Sequence, residues 1–342
     1  MNVDVREAGG DSRRVSRFLA VNDPAAVLAA ELGRPFEDYR RRWELARRFQ
    51  EIPPFPLHVD YELKFACNLR CPMCLWGLPE PLRRHAGQSD AELSAAVAAE
   101  LIDEGLERGQ ASIGFGGLWE PLTSPDLAEL VAYGRGRGLV EAMFNTNGLL
   151  LGGAVSRALI KAGLTRLMIS LDAVEESTYA LMRPGSDLRR VEENIREFLA
   201  LRREAGRRLP VVRLSFCLTS LNEGEFDRFV ERWAGVVDFF SLQCYGRYSS
   251  DAPSLFPARG VDDKPSGRCA QPRKRLLIRH NGQALPCCDL SGLDLAVGEI
   301  GRGSLAEIWA GEPLRTLRAQ LEGRSDSAPP ESCRRCQAKY EP

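Results

Sequence analysis

From residue 57 onward, short runs of apolar and β-branched residues alternate with longer runs in which apolar residues return every three or four positions. The short runs predict strands at 57–65, 111–117, 141–147, 166–172, 211–218 and 238–245. The longer runs predict helices at 90–109, 125–138, 153–163, 188–206 and 222–235. Strand–helix alternation of this kind implies a parallel sheet, with function at the C-terminal strand ends. An open sheet and a fragment of a barrel both fit. Ahead of this region, residues 1–52 carry helical periodicity in PAAVLAAELG and FEDYRRRWELARRFQ, with no paired strands expected, and PPFP (53–56) breaks it. Residues 246–268, rich in Gly, Pro, Ser and Asp, read as a linker. Beyond them, RLLIRHNGQAL predicts a hairpin turning at Asn281-Gly282, and LAEIWAGEPLRTLRAQL predicts a helix.

Composition narrows the partners. The chain has 342 residues, of which 44% are hydrophobic and 27% charged, with a net charge of −1. This is a globular composition long enough for more than one unit, and its charge balance gives no reason to expect nucleic acid or an anionic membrane. No run approaches the roughly 18–20 apolar residues of a membrane span. The first twenty residues show no apolar core of a secretory signal, so a cytoplasmic location is expected. In that compartment ten cysteines are metal ligands or catalytic groups before they are disulfides.

FACNLRCPMCLWG (65–77) places Cys67, Cys71 and Cys74 in the loop after the first predicted strand of the repeat region. An apolar helix stripe would have to accommodate Pro72 in its interior. A zinc site would need a fourth ligand, and of His58, His85 and His280 only His85 is near in sequence. Three thiolates on a four-iron cluster leave one iron open, as a reactive centre requires.

The CxxxCxxC loop, followed by strand–helix repeats, resembles the radical S-adenosylmethionine (radical SAM) superfamily over residues 57–342. The resemblance implies a partial (β/α)6 TIM-like barrel at 53–250, a helical N-terminal extension at 1–52, and a small auxiliary domain at 251–342. It further implies that Cys67, Cys71 and Cys74 hold a [4Fe–4S] cluster whose open iron binds S-adenosylmethionine. Reductive cleavage then yields a 5′-deoxyadenosyl radical, and a flavodoxin or ferredoxin supplies the electron. Met73 resembles the residue bordering the adenine. FGGLWEPL (115–122) resembles the Gly-Gly-Glu-Pro segment, which makes Gly116, Gly117 and Glu120 cofactor-binding positions. Here Leu118 and Trp119 separate the glycines from the glutamate. Asn145, Ser170 and Asp172 resemble strand-end cofactor contacts, and Arg213 resembles an arginine that pairs with the methionine carboxylate.

The C-terminal cysteines allow a zinc-ribbon staple. Their spacing also resembles the opening of a SPASM domain, in its shorter Twitch form. That resemblance implies one auxiliary [4Fe–4S] cluster held by Cys269, Cys287, Cys333 and Cys336, with Cys288 spare or exchanging with Cys287. Several outcomes remain open. Dehydrogenation of a small polar substrate (an aminocyclitol or aminosugar) is implied by likeness to 2-deoxy-scyllo-inosamine dehydrogenases and sugar-modifying members. Asn147, Arg183, Gln243 and Tyr245 are candidate polar groups for such a substrate, with Arg183 and Tyr245 placed in the catalytic set. Epimerisation would use a thiol as hydrogen donor, with Cys244 preferred over Cys217. Maturation of a ribosomal peptide is the third outcome, and an iron–sulfur electron carrier or sensor is the non-enzymatic one.

Overall fold

The structure, a computed structural model, describes residues 6–7, 16–20, 23–80, 83, 89–245, 254–255, 268–287 and 295–336, without the side chains of 6–7, 16–20, 244 and 335. Along the chain lie β1 (Arg6–Glu7), β2 (Ser16–Ala20), α1 (Pro24–Leu32), α2 (Arg34–Arg47), β3 (His58–Tyr61), α3 (Ala95–Glu107), β4 (Ser112–Phe115) and α4 (Leu127–Gly136). Next come β5 (Glu141–Thr146), α5 (Gly153–Ala162), β6 (Arg166–Ser170), α6 (Glu176–Met182), α7 (Leu188–Glu204), β7 (Val211–Leu218), α8 (Phe226–Trp233) and β8 (Phe239–Cys244). The C-terminal region adds β9 (Arg275–Ile278), β10 (Gln283–Leu285), β11 (Gly298–Glu299), α9 (Leu305–Ala310), α10 (Glu312–Leu321) and α11 (Glu331–Arg335). All six predicted strands of the repeat region form, as β3 to β8. Among the described residues no helix is long and apolar enough to cross a membrane.

The chain divides into two compact units. The first comprises residues 1–31, 67–83 and 143–263. Its sheet runs β1-β2-β8-β7-β6-β5, parallel from β8 to β5 and antiparallel at β1 and β2. Side chains alternate across each strand. On one face Val212, Leu214 and Phe216 are fully buried, and Phe216 meets Phe226 and Phe229 of α8 with ring centres 5.4 and 5.0 Å apart. The other face carries Asn145, Ser170, Arg213, Ser215, Cys217, Ser241 and Gln243, with Met168 and Phe239 on either side of Arg213, and is mixed polar and apolar. The lead-in departs from the expectation of helices alone. α1 and α2 form where predicted, but β1 and β2 pair with each other, and β2 pairs with β8 from Ser16↔Gln243 to Ala20↔Phe239. A strand this short is made by the edge that it completes, so its own pattern is a weak signal. The seven-residue α6 is likewise too short to show a helical period.

The second unit comprises residues 32–66, 84–142 and 264–342. Its strands run β4-β3-β9-β10-β11, with β3 parallel to both β4 and β9. The β9–β10 hairpin turns at Asn281 and Gly282 as predicted, and Gly282 takes a φ of 84° that favours glycine. The single helix expected over 305–321 is two. Gly311 leaves the helical region (ψ 156°), and Pro313 opens α10, where its missing N–H costs nothing. Ser304 and Glu307 form a reciprocal capping box on α9, and Trp309 Nε1 donates to the Pro53 carbonyl at 2.9 Å.

Phe216, Phe226, Phe229 and Phe240 form an aromatic cluster behind β7 and β8. Phe229→Ala, at a fully buried position 5.9 Å from Phe240 between ring centres, should cost about 3–5 kcal/mol, read as a lowered chemical-denaturation midpoint.

Candidate active site

In the first unit the cysteine loop packs onto an apolar cluster of Leu69, Met73, Met182 and Tyr245, which includes Cys71 and against which Cys67, Cys74 and Cys217 pack. Cys71 is buried, and Cys67 and Cys74 are half-buried. Burial pushes the Cys74 thiol up to about 12, and the neighbouring Cys71 and Cys67 add to this against the Trp76 backbone and Arg183. Thiols gathered in apolar surroundings lose their protons only to a strong counter-charge, and a sulfur-only donor set in such a pocket suits an iron–sulfur cluster. Among the described residues, no three His, Cys, Asp or Glu side chains yet stand together as a metal ion would hold them.

Two polar devices hold this loop and the strand ends around it. Asn147 Nδ2 donates to Asn68 Oδ1 at 2.8 Å, tying the loop after β5 to the cysteine loop itself. Asp172, 1% exposed, spends both carboxylate oxygens within the protein. Oδ2 accepts from Arg183 Nε at 2.7 Å and lies 2.6 Å from its Nη2, while Oδ1 accepts from the Cys217 backbone N–H at 2.7 Å. Burial opposes the charge on Arg183, but Asp172 outweighs it and raises the guanidinium's pKa. Asn222 closes the arrangement by donating to the carbonyls of Asp172 and Cys217 at 2.7 and 2.9 Å. Arg183 and Tyr245 therefore stand in the buried framework beside the thiols, whereas Gln243 is exposed on β8. Ser170 lies level with Ser215. Cys244 ends β8, and its side chain, like all of His85 and Cys288, lies outside the described residues.

In the second unit the glycine segment after β4 is shaped from beneath by β3. A Cβ on Gly116 would come 2.9 Å from Asp60 Oδ1, and one on Gly117 would come 2.5 Å from Glu62 Oε2. Gly117 also needs a φ of 105°, so no other residue fits. Glu62 Oε2 accepts from the Leu118 backbone N–H at 2.6 Å, and Oε1 lies 2.6 Å from His280 Nδ1 and 3.4 Å from Arg279 Nε. The two residues between the glycines and Glu120 fold back, with Trp119 Nε1 donating to the Gly116 carbonyl at 2.9 Å. Buried Glu120 accepts from the Leu122 N–H at 3.1 Å, capping the turn at Pro121–Thr123.

Sequence reasoning missed Asn68 and Asn222 as supports in the first unit, and Asp60, Glu62 and His280 as supports of the glycine segment in the second. The available signal was acidic residues at alternate positions inside an otherwise apolar strand, in HVDYE. Cys269 precedes a short turn at Gln271–Arg273, Cys287 follows β10, Cys333 is in α11 and Cys336 ends it; all four are half-buried.

Comparison with known proteins decides the family. The radical SAM superfamily model matches residues 61–232. The chain belongs to the radical SAM superfamily. An iron–sulfur cluster-binding domain, SPASM, matches residues 269–337. The radical SAM chain is 27% identical to the PqqA peptide cyclase of Gluconobacter oxydans (strain 621H) over 323 residues, covering 84% of each. It is 30% identical to the mycofactocin maturase MftC of Mycobacterium ulcerans (strain Agy99) over 221 residues, covering 62% of this chain and 54% of that one. Its fold resembles Streptococcus suis SuiB bound to S-adenosylmethionine, with a TM-score of 0.63 and 16% identity over 89% of this chain and 76% of that one. This radical SAM enzyme accordingly has the superfamily's partial barrel with a C-terminal SPASM domain, and its cofactors are S-adenosylmethionine and two iron–sulfur clusters.

The buried carboxylate on β3 makes the second unit sensitive to acid. Burial pushes the Asp60 carboxyl up, but Arg275, 2.5 Å away, and His58 outweigh this and hold it well below the usual range. A depressed carboxylate contributes stability that is present above its unfolded pKa of about 3.9 and lost as pH falls toward its folded value. Unfolding free energy should therefore drop on acidification below about pH 4. Asp60→Asn should flatten that limb in denaturation curves collected at successive pH values.

Proposed function

We propose that this radical SAM enzyme modifies a peptide, forming a new bond or otherwise maturing a ribosomally made precursor. The observation that carries this is the likeness to PqqA peptide cyclase over 84% of both chains. A second relative is named a maturase, and SuiB, a fold neighbour with a TM-score of 0.60 in that state, has been solved bound to precursor peptide SuiA. The strands β1 and β2 also remove the objection that the N-terminal region has no paired strands to offer a peptide. The dehydrogenation of an aminocyclitol suggested by the cysteine layout has no comparable support.

In this reading Cys67, Cys71 and Cys74 hold the S-adenosylmethionine-binding cluster, and Met73 gives the cofactor an apolar wall. Gly116, Gly117 and Glu120 receive its amino-acid portion. Cys269, Cys287, Cys333 and Cys336 hold the auxiliary cluster. When bound, the reduced cluster and S-adenosylmethionine supply a radical that abstracts a substrate hydrogen. The chain's own residues fix the surroundings. Asp172 acts as a positioning residue, because both its oxygens are committed to Arg183 and to the Cys217 backbone. Asn147 steadies the cysteine loop, and Glu62 sets the backbone after Gly117.

Anaerobic reconstitution should give about eight irons per chain, four for each of two clusters. Alanine at Cys67, Cys71 and Cys74 together should halve this count and abolish reductive cleavage of S-adenosylmethionine. For the substrate, short peptides encoded beside the gene and 2-deoxy-scyllo-inosamine should be offered in parallel, with products read by mass spectrometry. A modified peptide and an untouched cyclitol are expected; the reverse would sink the peptide reading.

A further inference from the structure

The polar face of the first unit's sheet carries groups that neither the cysteine loop nor Asp172 uses. Arg213, third residue of β7, is half-buried on this face. Its Nε donates to Ser215 Oγ at 3.1 Å and its Nη2 to Asn145 Oδ1 at 3.2 Å. Both acceptors are neutral, and among the described residues no carboxylate pairs with this guanidinium. Burial, and after it the charge of another cation, Arg166, pushes Arg213 down to about 10. A half-buried guanidinium with a second cation acting on it, neutral acceptors and the Phe239 ring 6.0 Å away is stabilised by an anion it does not find among the described residues.

The row above adds hydroxyls. Ser170, Ser215 and Ser241 lie in register across β6, β7 and β8 on the same face. Ser241 is 0% exposed, and its Oγ has no hydrogen-bond partner. A buried hydroxyl without a partner is costly and rare, and here it stands one strand from Ser215 and so beside the guanidinium. Exposed Asn145 on one side and exposed Gln243 on the other leave the face open to a ligand.

We propose that Arg213, Asn145, Ser215 and Ser241 form a carboxylate-binding subsite that takes an acidic side chain of the substrate peptide. This rests on the peptide reading above. The depth of the subsite separates it from the methionine carboxylate of S-adenosylmethionine. Cys217 packs on the same apolar cluster as the three thiols, which would hold the iron–sulfur cluster that binds the cofactor's amino-acid end. Arg213 lies four residues earlier, about 13 Å back along the strand at the backbone, and its guanidinium reaches between Asn145 in its own row and Ser215 in the next, one row short of Cys217.

The test uses the reconstituted enzyme loaded with S-adenosylmethionine. N-acetyl-glutamate N-methylamide serves as the acidic probe and its glutamine counterpart as the neutral control, with binding read by calorimetry or ligand-observed NMR. The acidic probe should bind at least roughly tenfold more tightly than the neutral one, the usual worth of a charge-assisted contact. Arg213→Gln should erase this preference, Arg213→Lys should keep part of it, and Ser241→Ala should weaken it. S-adenosylmethionine affinity and the circular dichroism spectrum should stay those of the wild type. Equal binding of the two probes would overturn the proposal. So would an Arg213→Gln variant that loses S-adenosylmethionine affinity while keeping the acidic preference. The peptide reading fails separately. A preserved preference without turnover of any peptide would leave the carboxylate subsite standing, and peptide turnover without the preference would remove only the subsite.

Discussion

Asp172 is the constraint on which the first unit's site depends. A carboxylate at 1% exposure would be intolerable alone, because removing it from water costs several kcal/mol. Arg183 neutralises it from α6 and the cap that follows, and the Cys217 N–H fills its other oxygen. One charge thus fixes three things: the end of β6, the end of β7 and the arginine that faces the thiols. Loss of either partner would strand the other as a buried charge or an unmet donor. The network is therefore an all-or-none device rather than a sum of small contacts.

The second unit repeats the solution with different residues. Glu62, fully buried, is held by His280 and Arg279 and uses its second oxygen to pin the Leu118 N–H. His280 and Arg279 come from the SPASM match and Glu62 from the radical SAM match. The auxiliary domain therefore contributes its first hairpin to the support of the glycine segment. That is a structural reason for the two domains to occur in one chain, separate from any transfer of electrons between their clusters.

Sequence and structure agree where the signal is local. Cysteine spacing, the breaks at PPFP and Pro72, the Asn281-Gly282 turn and the six strands with helices between them were all legible, because each depends on neighbours within a few residues. The failures have the opposite character. β2 owes its form to an edge supplied by β8, more than two hundred residues away, and β1 pairs in turn with β2. Gly311 divides α9 from α10 although the apolar period runs through it. The pairing of Asp172 with Arg183, eleven residues apart across α6, is likewise set by packing and not by any local spacing.

What the sequence determined by itself is the chemistry in stock: three thiols in one loop, five further cysteines near the end, a glycine pair with a glutamate downstream, and an alternating fold to carry them. Only the tertiary structure decided which polar groups those parts consume. Asp172 is spent on Arg183 and Cys217, Glu62 on Leu118 and His280, and Asn147 on Asn68, while Arg213 has only neutral acceptors. The reason is physical. A residue's type and spacing are set along the chain, but whether a buried charge is already paired depends on groups that folding brings together from distant positions.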